Sequence, residues 1–171
     1  MKTVPGDRRI VLLRTALLIV AVVLPACGST QGTLRVDTPF PNPLGTFKSV
    51  QVVCGSEEEK AGPYTARMET HVMVKLKERE TFQEYRLSKD SGQSELLVKI
   101  TILDLKKASS VNLGWYTRNT SRVNCDVQVL DAKTNGVIGA FSVVAKPKYS
   151  SIEQAIDDAA VQIADYLREH K

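Results

Sequence analysis

Three runs in the second half of this 171-residue chain constrain its fold most tightly. From Glu95 to Leu105, the residues Leu96, Val98, Ile100 and Ile102 alternate with Leu97, Lys99, Thr101 and Leu103. From Arg122 to Asp131, Val123, Cys125, Val127 and Val129 alternate with Asn124, Asp126 and Gln128. A period of two sends successive side chains to opposite faces of a strand. The third run, Val137 to Ala145, follows Thr134-Asn135-Gly136. Asn-Gly tolerates the positive φ that a tight hairpin turn requires. The runs therefore predict a three-strand antiparallel meander. One face of these strands is apolar and the other polar, so something must cover the apolar side.

Two amphipathic segments can supply that cover. Pro63 opens a predicted helix to about Arg79, with Ala66, Val72, Met73 and Leu76 at helical spacing and Met68 near the edge of that face. Ser150-Ser151-Ile152-Glu153 reads as a capping box. It starts a second helix to about Glu169, with Ile152, Ala155, Ile156, Ala159, Ile163 and Leu167 on one stripe. Phe47 to Gly55 is rich in branched residues and ends in Gly, which are strand signals, and Thr81 to Leu87 reads as a further short strand. The expected architecture is an α+β two-layer sandwich. A five-stranded mixed sheet contains the meander, and both helices lie on one face.

The N-terminus follows a different logic. Lys2, Arg8, Arg9 and Arg14 precede an apolar run from Thr15 to Leu24. That run is too short to cross a hydrocarbon core, which takes about 20 residues of helix. Leu24-Pro25-Ala26-Cys27 closes it, and the small polar residues Gly28, Ser29 and Thr30 follow. The order of basic, apolar and small residues is that of an export signal. The four residues resemble the bacterial lipobox, except that Pro25 stands where a small or branched residue is usual. The resemblance implies cleavage before Cys27 and a diacylglycerol on its sulfur. One chain binds a bilayer only marginally, whereas two or three on one residue hold permanently. Gly28 carries no retention signal of the Asp type, which resembles the outer-membrane sorting pattern.

The expected organisation is thus a signal peptide over residues 1–26, a lipidated N-terminus and Pro-rich tether over 27–46, and one α/β domain over 47–171. Pro39, Pro41 and Pro43 mark the tether. Prolines donate no backbone hydrogen bond, so such a stretch cannot join a central strand; Leu34 to Val36 is a candidate for a short edge strand. Four of the 23 basic residues and one of the 19 acidic ones fall in residues 1–26, which leaves 19 against 18. The net charge of +4 belongs mostly to the signal and is no argument for a nucleic-acid partner.

With Cys27 carrying lipid, Cys54 and Cys125 remain. In an oxidising compartment they can form a disulfide, or they can be two buried thiols acting as small apolar residues. A bridge needs Cα atoms within about 7 Å. His71 and His170 lack a second histidine or cysteine at metal-ligand spacing, and no nucleophile-elbow or phosphate-cradle motif is present. No cofactor and no catalytic residue is expected. The long connection from Lys106 to Ser121 holds Trp115, Tyr116 and Arg118, residue types that anchor interfaces. It is the candidate partner-binding loop, the alternative being that Trp115 folds back on the sheet.

The domain from about Phe47 to Leu167 resembles a broad group of envelope lipoprotein domains. The likeness rests on the strand after the Pro-rich tether, the helix closing on Leu76 before Phe82, the long strand at Leu97 to Leu105, Val127-Gln128-Val129-Leu130-Asp131 with Gly136, and the Ala-rich helix at Ala155 to Ala164. Small lipoproteins related to the curli-secretion lipoprotein, the peptidoglycan-synthase activator lipoprotein and the amino-terminal domain of TolB look similar. A weaker similarity is to the lipopolysaccharide-assembly lipoprotein, whose Phe-x-Leu run after the lipidated Cys is missing here. No functional residue carries over on that likeness; Cys27, the tether, the expected one-sided sheet and the lack of a catalytic set point to a non-enzymatic lipoprotein, anchored through Cys27 at the outer membrane and facing the periplasm, that binds or scaffolds envelope components. The alternatives are a lipopolysaccharide-assembly role and a thiol-based enzyme using Cys54 or Cys125.

Overall fold

In the computed structural model, residues 32–107, 121–147 and 151–171 are described. The elements run β1 (Thr33–Thr38), β2 (Ser49–Ser56), α1 (Gly62–Glu78), β3 (Glu84–Leu87), β4 (Leu96–Lys106), β5 (Arg122–Asp131), β6 (Val137–Ala145) and α2 (Ile152–Glu169). They build one sheet in the order β1-β6-β5-β4-β2-β3. β4, β5 and β6 are the expected antiparallel meander. β2 pairs in parallel with both β3 and β4, which makes the sheet mixed. Helix α1 is the crossover from β2 to β3 that a parallel pair requires.

The sheet has six strands rather than five. The additional one is β1, which pairs antiparallel with β6 from Thr33↔Val144 to Thr38↔Ala140. Thus part of the stretch read as tether belongs to the domain. The prolines do not prevent this, because Pro39, Pro41 and Pro43 come after the strand and β1 sits at the sheet's edge, where pairing is needed on one side only. The same stretch then places Phe40 against Tyr166 and His170 and buries Leu44 completely. The backbone N–H of Leu44 donates to His170 O at 2.6 Å, so the start of the domain is sewn to the end of α2.

Both helices cover one face. Beneath them lie Val50, Val52, Leu96, Val98, Ile100, Ile102, Val123, Cys125, Val127, Val129, Phe141 and Val143, all buried as the alternation demands. From α1, Met68, Val72, Met73 and Leu76 meet them. Ala66, expected on that stripe, is exposed, and Met68 is central instead. From α2 come Ile152, Ala155, Ile156, Ala159, Ile163 and Leu167. Truncating one of these fully buried Leu or Ile residues to Ala costs about 2–5 kcal/mol.

Local chemistry sets the ends of the helices. α2 is capped by Ser151, whose Oγ accepts from Gln154 N at 3.3 Å, one residue later than the expected box. α1 ends in a Schellman arrangement: Glu80 N donates to Lys77 O and Thr81 N to Leu76 O, with Glu80 at φ 50. Asn135, in the β5–β6 turn, has φ 55, as its Asn-Gly sequence predicts. Between the helices, α1 presents His71, Lys75 and Arg79 at intervals of one turn. They meet Asp157 and Asp165 of α2: His71 Nδ1 lies 3.1 Å and Lys75 Nζ 3.8 Å from Asp157, and Arg79 Nε donates to Asp165 at 2.5 Å.

Candidate functional site

Among the described residues, no helix covers the second face of the sheet. Val53 on β2, Leu97 and Leu103 on β4, Leu130 on β5 and Val144 on β6 are half-buried and stand apart from the helix-covered core. Register aligns Leu97 with Leu130, and Lys99 with Gln128 beside them. An aliphatic strip thus runs among Lys99, Asp126, Gln128 and Ser142. Such a mixture of half-exposed apolar area inside a polar frame is what a protein-binding surface offers.

A cleft of about 620 Å³ opens at one end of this face. Gln51, Gln93, Ser94, Leu97, Lys133 and Asn135 are among its walls. The loop after β3 and the β5–β6 turn shape it. Asp131 Oδ1 accepts from Lys133 N at 2.8 Å and Thr134 N at 3.1 Å, which fixes the turn. Glu95 is taken up by the backbone, its Oε2 accepting from Lys48 N at 2.6 Å.

Cys54 and Cys125 both face the helix-covered side but sit on β2 and β5, with β4 between them. Two strand spacings separate those strands by about 10 Å, beyond the reach of a bridge. The thiols are free. Burial pushes the Cys125 thiol up to about 12, with smaller contributions from Cys54 and Asp126. Cys54 is likewise pushed up to about 12, by burial and then by the charge of Glu69. A thiol is nucleophilic as its thiolate, and both sites oppose that form. That direction weighs against a reactive thiolate at either position.

The remaining titratable clusters serve packing. The Thr70 hydroxyl, next to His71, is used by Ala66 O at 2.8 Å, and Asp157 is shared between His71 and Lys75. This cluster ties the two helices together. Spacing signals it in the sequence: basic residues at 71, 75 and 79 match acidic ones at 157 and 165. His170 Nδ1 lies 2.8 Å from Tyr166 O and its ring stacks within the Phe40–Tyr166 group. Glu69 is buried and its Oε1 accepts from Ser88 N at 2.5 Å. Among the described residues, no three His, Cys, Asp or Glu side chains form a metal-holding group. Cys27, Trp115, Tyr116 and Arg118 lie outside the described residues.

No protein-family model matches the sequence, and no curated protein does. Solved structures share its fold. PelC from Paraburkholderia phytofirmans, solved as a dodecamer, superposes with a TM-score of 0.64 at 13% identity, over 80% of this chain and 97% of that one. A Xanthomonas campestris protein of the DUF330 family superposes with a TM-score of 0.55, also at 13% identity, over 80% and 89%. A minor lipoprotein from Acinetobacter baumannii is more distant, with a TM-score of 0.47 at 17% identity over 72% and 94%. The chain therefore has the two-layer fold of the PelC and DUF330 structures.

Proposed function

We propose that this chain is a lipid-anchored, periplasm-facing protein of the bacterial envelope that binds or scaffolds other envelope components and catalyses nothing itself. The carrying observation is that, among the described residues, the sheet is covered on one side: both helices pack on the same face, and Val53, Leu97, Leu103, Leu130 and Val144 remain half-buried on the other. The lipobox at Leu24 to Cys27 supports the anchor, and the raised thiols of half-buried Cys54 and buried Cys125 weigh against the enzymatic alternative. Photo-crosslinkers placed at Leu97 and Leu130 test the binding face. The same discrete adduct from both positions, and none from Lys77 on the outer side of α1, is the expected result. Equal capture from Lys77, or no adduct from either sheet position, contradicts it.

A second reading is self-association. PelC was solved as a dodecamer, and here, among the described residues, β1 ends the sheet with an unpaired edge and an exposed Val36. Edge strands with free backbone groups are templates for pairing. The native mass of the purified protein decides between a monomer and a closed ring.

A further inference from the structure

The sheet has two unlike ends, and the anchor position selects between them. β1 enters at Thr33, opposite Val144 of β6, which is itself opposite Asn124 of β5, opposite Asp104 of β4. Two residues further along lie Lys106 and Arg122, a register pair, and Lys146, which follows β6. Lys107 comes next on the chain. Lys106, Lys107 and Lys146 are all exposed, while Arg122 is partly used by Asp104 at 3.9 Å. Cys27 precedes Thr33 by six residues, a covalent reach of no more than about 20 Å. β4 spans about 35 Å at strand rise, so the cleft end, with Glu95 and Lys133, lies beyond that reach.

We infer that the Lys106–Lys107–Lys146 corner is a membrane-contact surface that rests on anionic phospholipid headgroups and fixes the orientation of the domain. The inference rests on the lipid anchor proposed at Cys27. Its basis is charge complementarity at the end of the sheet that lies within the anchor's reach. Juxtamembrane lysines are attracted to anionic leaflets within a Debye length. Opposing charges at this end are Glu57, Glu58 and Glu59 beyond β2, Glu153 on α2, and Asp104. The acidic run of 57–59 follows β2, next to β4, so Lys106 and Lys107 stand between it and the anchor's strand, with Lys146 nearer to β1. In this orientation the cleft at the opposite end points away from the bilayer.

The described fold lies wholly within residues 32–171, so the segment 27–171 carrying Cys27→Ser is a suitable unlipidated probe. It is sedimented with phosphatidylcholine vesicles, with and without phosphatidylglycerol, at low and high salt. Binding is expected only to the phosphatidylglycerol vesicles and only at low salt. K106E/K107E/K146E is expected to weaken it by at least roughly tenfold, while the equally charged control K89E/K99E/K133E leaves it within roughly twofold. Circular dichroism verifies that both variants fold, and the corresponding Lys→Gln triples replace any that does not. Equal binding to neutral vesicles, no binding, or the same loss in the control overturns the inference. Intact mass of the wild-type membrane protein is measured in parallel. An unmodified Cys27 would remove the anchor and the orientation argument even if the corner bound. An acylated Cys27 with an inert corner would sink only this inference.

Discussion

The ring of Phe40 fills the space a side chain at Gly139 would need: a Cβ there would stand 2.3 Å from Phe40 Cε1. This contact welds the Pro-rich stretch to β6, and through Tyr166 and His170 to the end of α2. Gly139→Ala is therefore expected to displace Phe40 and destabilise the fold by about 1–3 kcal/mol. Phe40→Ala costs stability by itself through lost packing. In the double variant the two costs should not add, because the clash is gone. Urea denaturation of the four proteins measures the coupling; additive costs would show that the two positions do not touch.

Glu69 offers a second test. Its buried carboxylate accepts from the backbone of Ser88 at 2.5 Å and so holds the chain leaving β3. Glu69→Ala strands that N–H and should cost about 1–3 kcal/mol. Glu69→Gln keeps an acceptor oxygen and should retain most of the stability, which thermal unfolding can read. Equal losses in both would mean the charge, not the hydrogen bond, matters.

At the end of α1, Glu80 adopts φ 50, a conformation that costs an L residue and suits glycine. Glu80→Gly is expected to raise stability by about 0.5–1 kcal/mol, or at worst leave it unchanged. A clear loss on chemical denaturation would show that the Glu80 side chain contributes a contact outweighing the strain.

The thiols give a pH signature. Cys54 and Cys125 are raised to about 12 in the folded protein, whereas an unfolded thiol titrates near 8.5. Below the unfolded value both states are protonated and the thiols contribute no pH dependence. Above it the unfolded chain loses protons first, so stability falls as pH rises towards 12. Cys125→Ala should make that fall shallower between about pH 9 and 11. Near pH 8 the buried Cys125 thiol should resist iodoacetamide in native protein and react in denaturant. Fast native labelling of Cys125 would contradict the burial.

The sequence made the meander legible because its signals are local. Strict alternation and an Asn-Gly turn define β5 and β6 with the bounds found in the structure. β1 was harder to read. Leu34 to Val36 reads as a candidate edge strand and is one, but Val36 and most of its neighbours are exposed, so no alternation marks its extent or its pairing with β6. The separation of Cys54 from Cys125 depends on strand order. The insertion of β4 between their strands is a tertiary fact that neither cysteine's neighbourhood encodes. The interhelical ladder is intermediate: its spacing is local, but the match of residues 71, 75 and 79 to 157 and 165 needs the two helices side by side. The open sheet face follows from the polar half of the alternation. The cleft at its end does not, because it depends on where two loops meet.

Everything about where this protein works turns on Cys27. Intact-mass spectrometry of the protein purified from bacterial membranes tests it most directly. The expected species begins at Cys27 and carries a diacylglyceryl thioether with a further acyl chain on its amine, and Cys27→Ser accumulates as the uncleaved precursor. A mature chain beginning elsewhere with an unmodified Cys27, or normal processing of Cys27→Ser, would contradict the account.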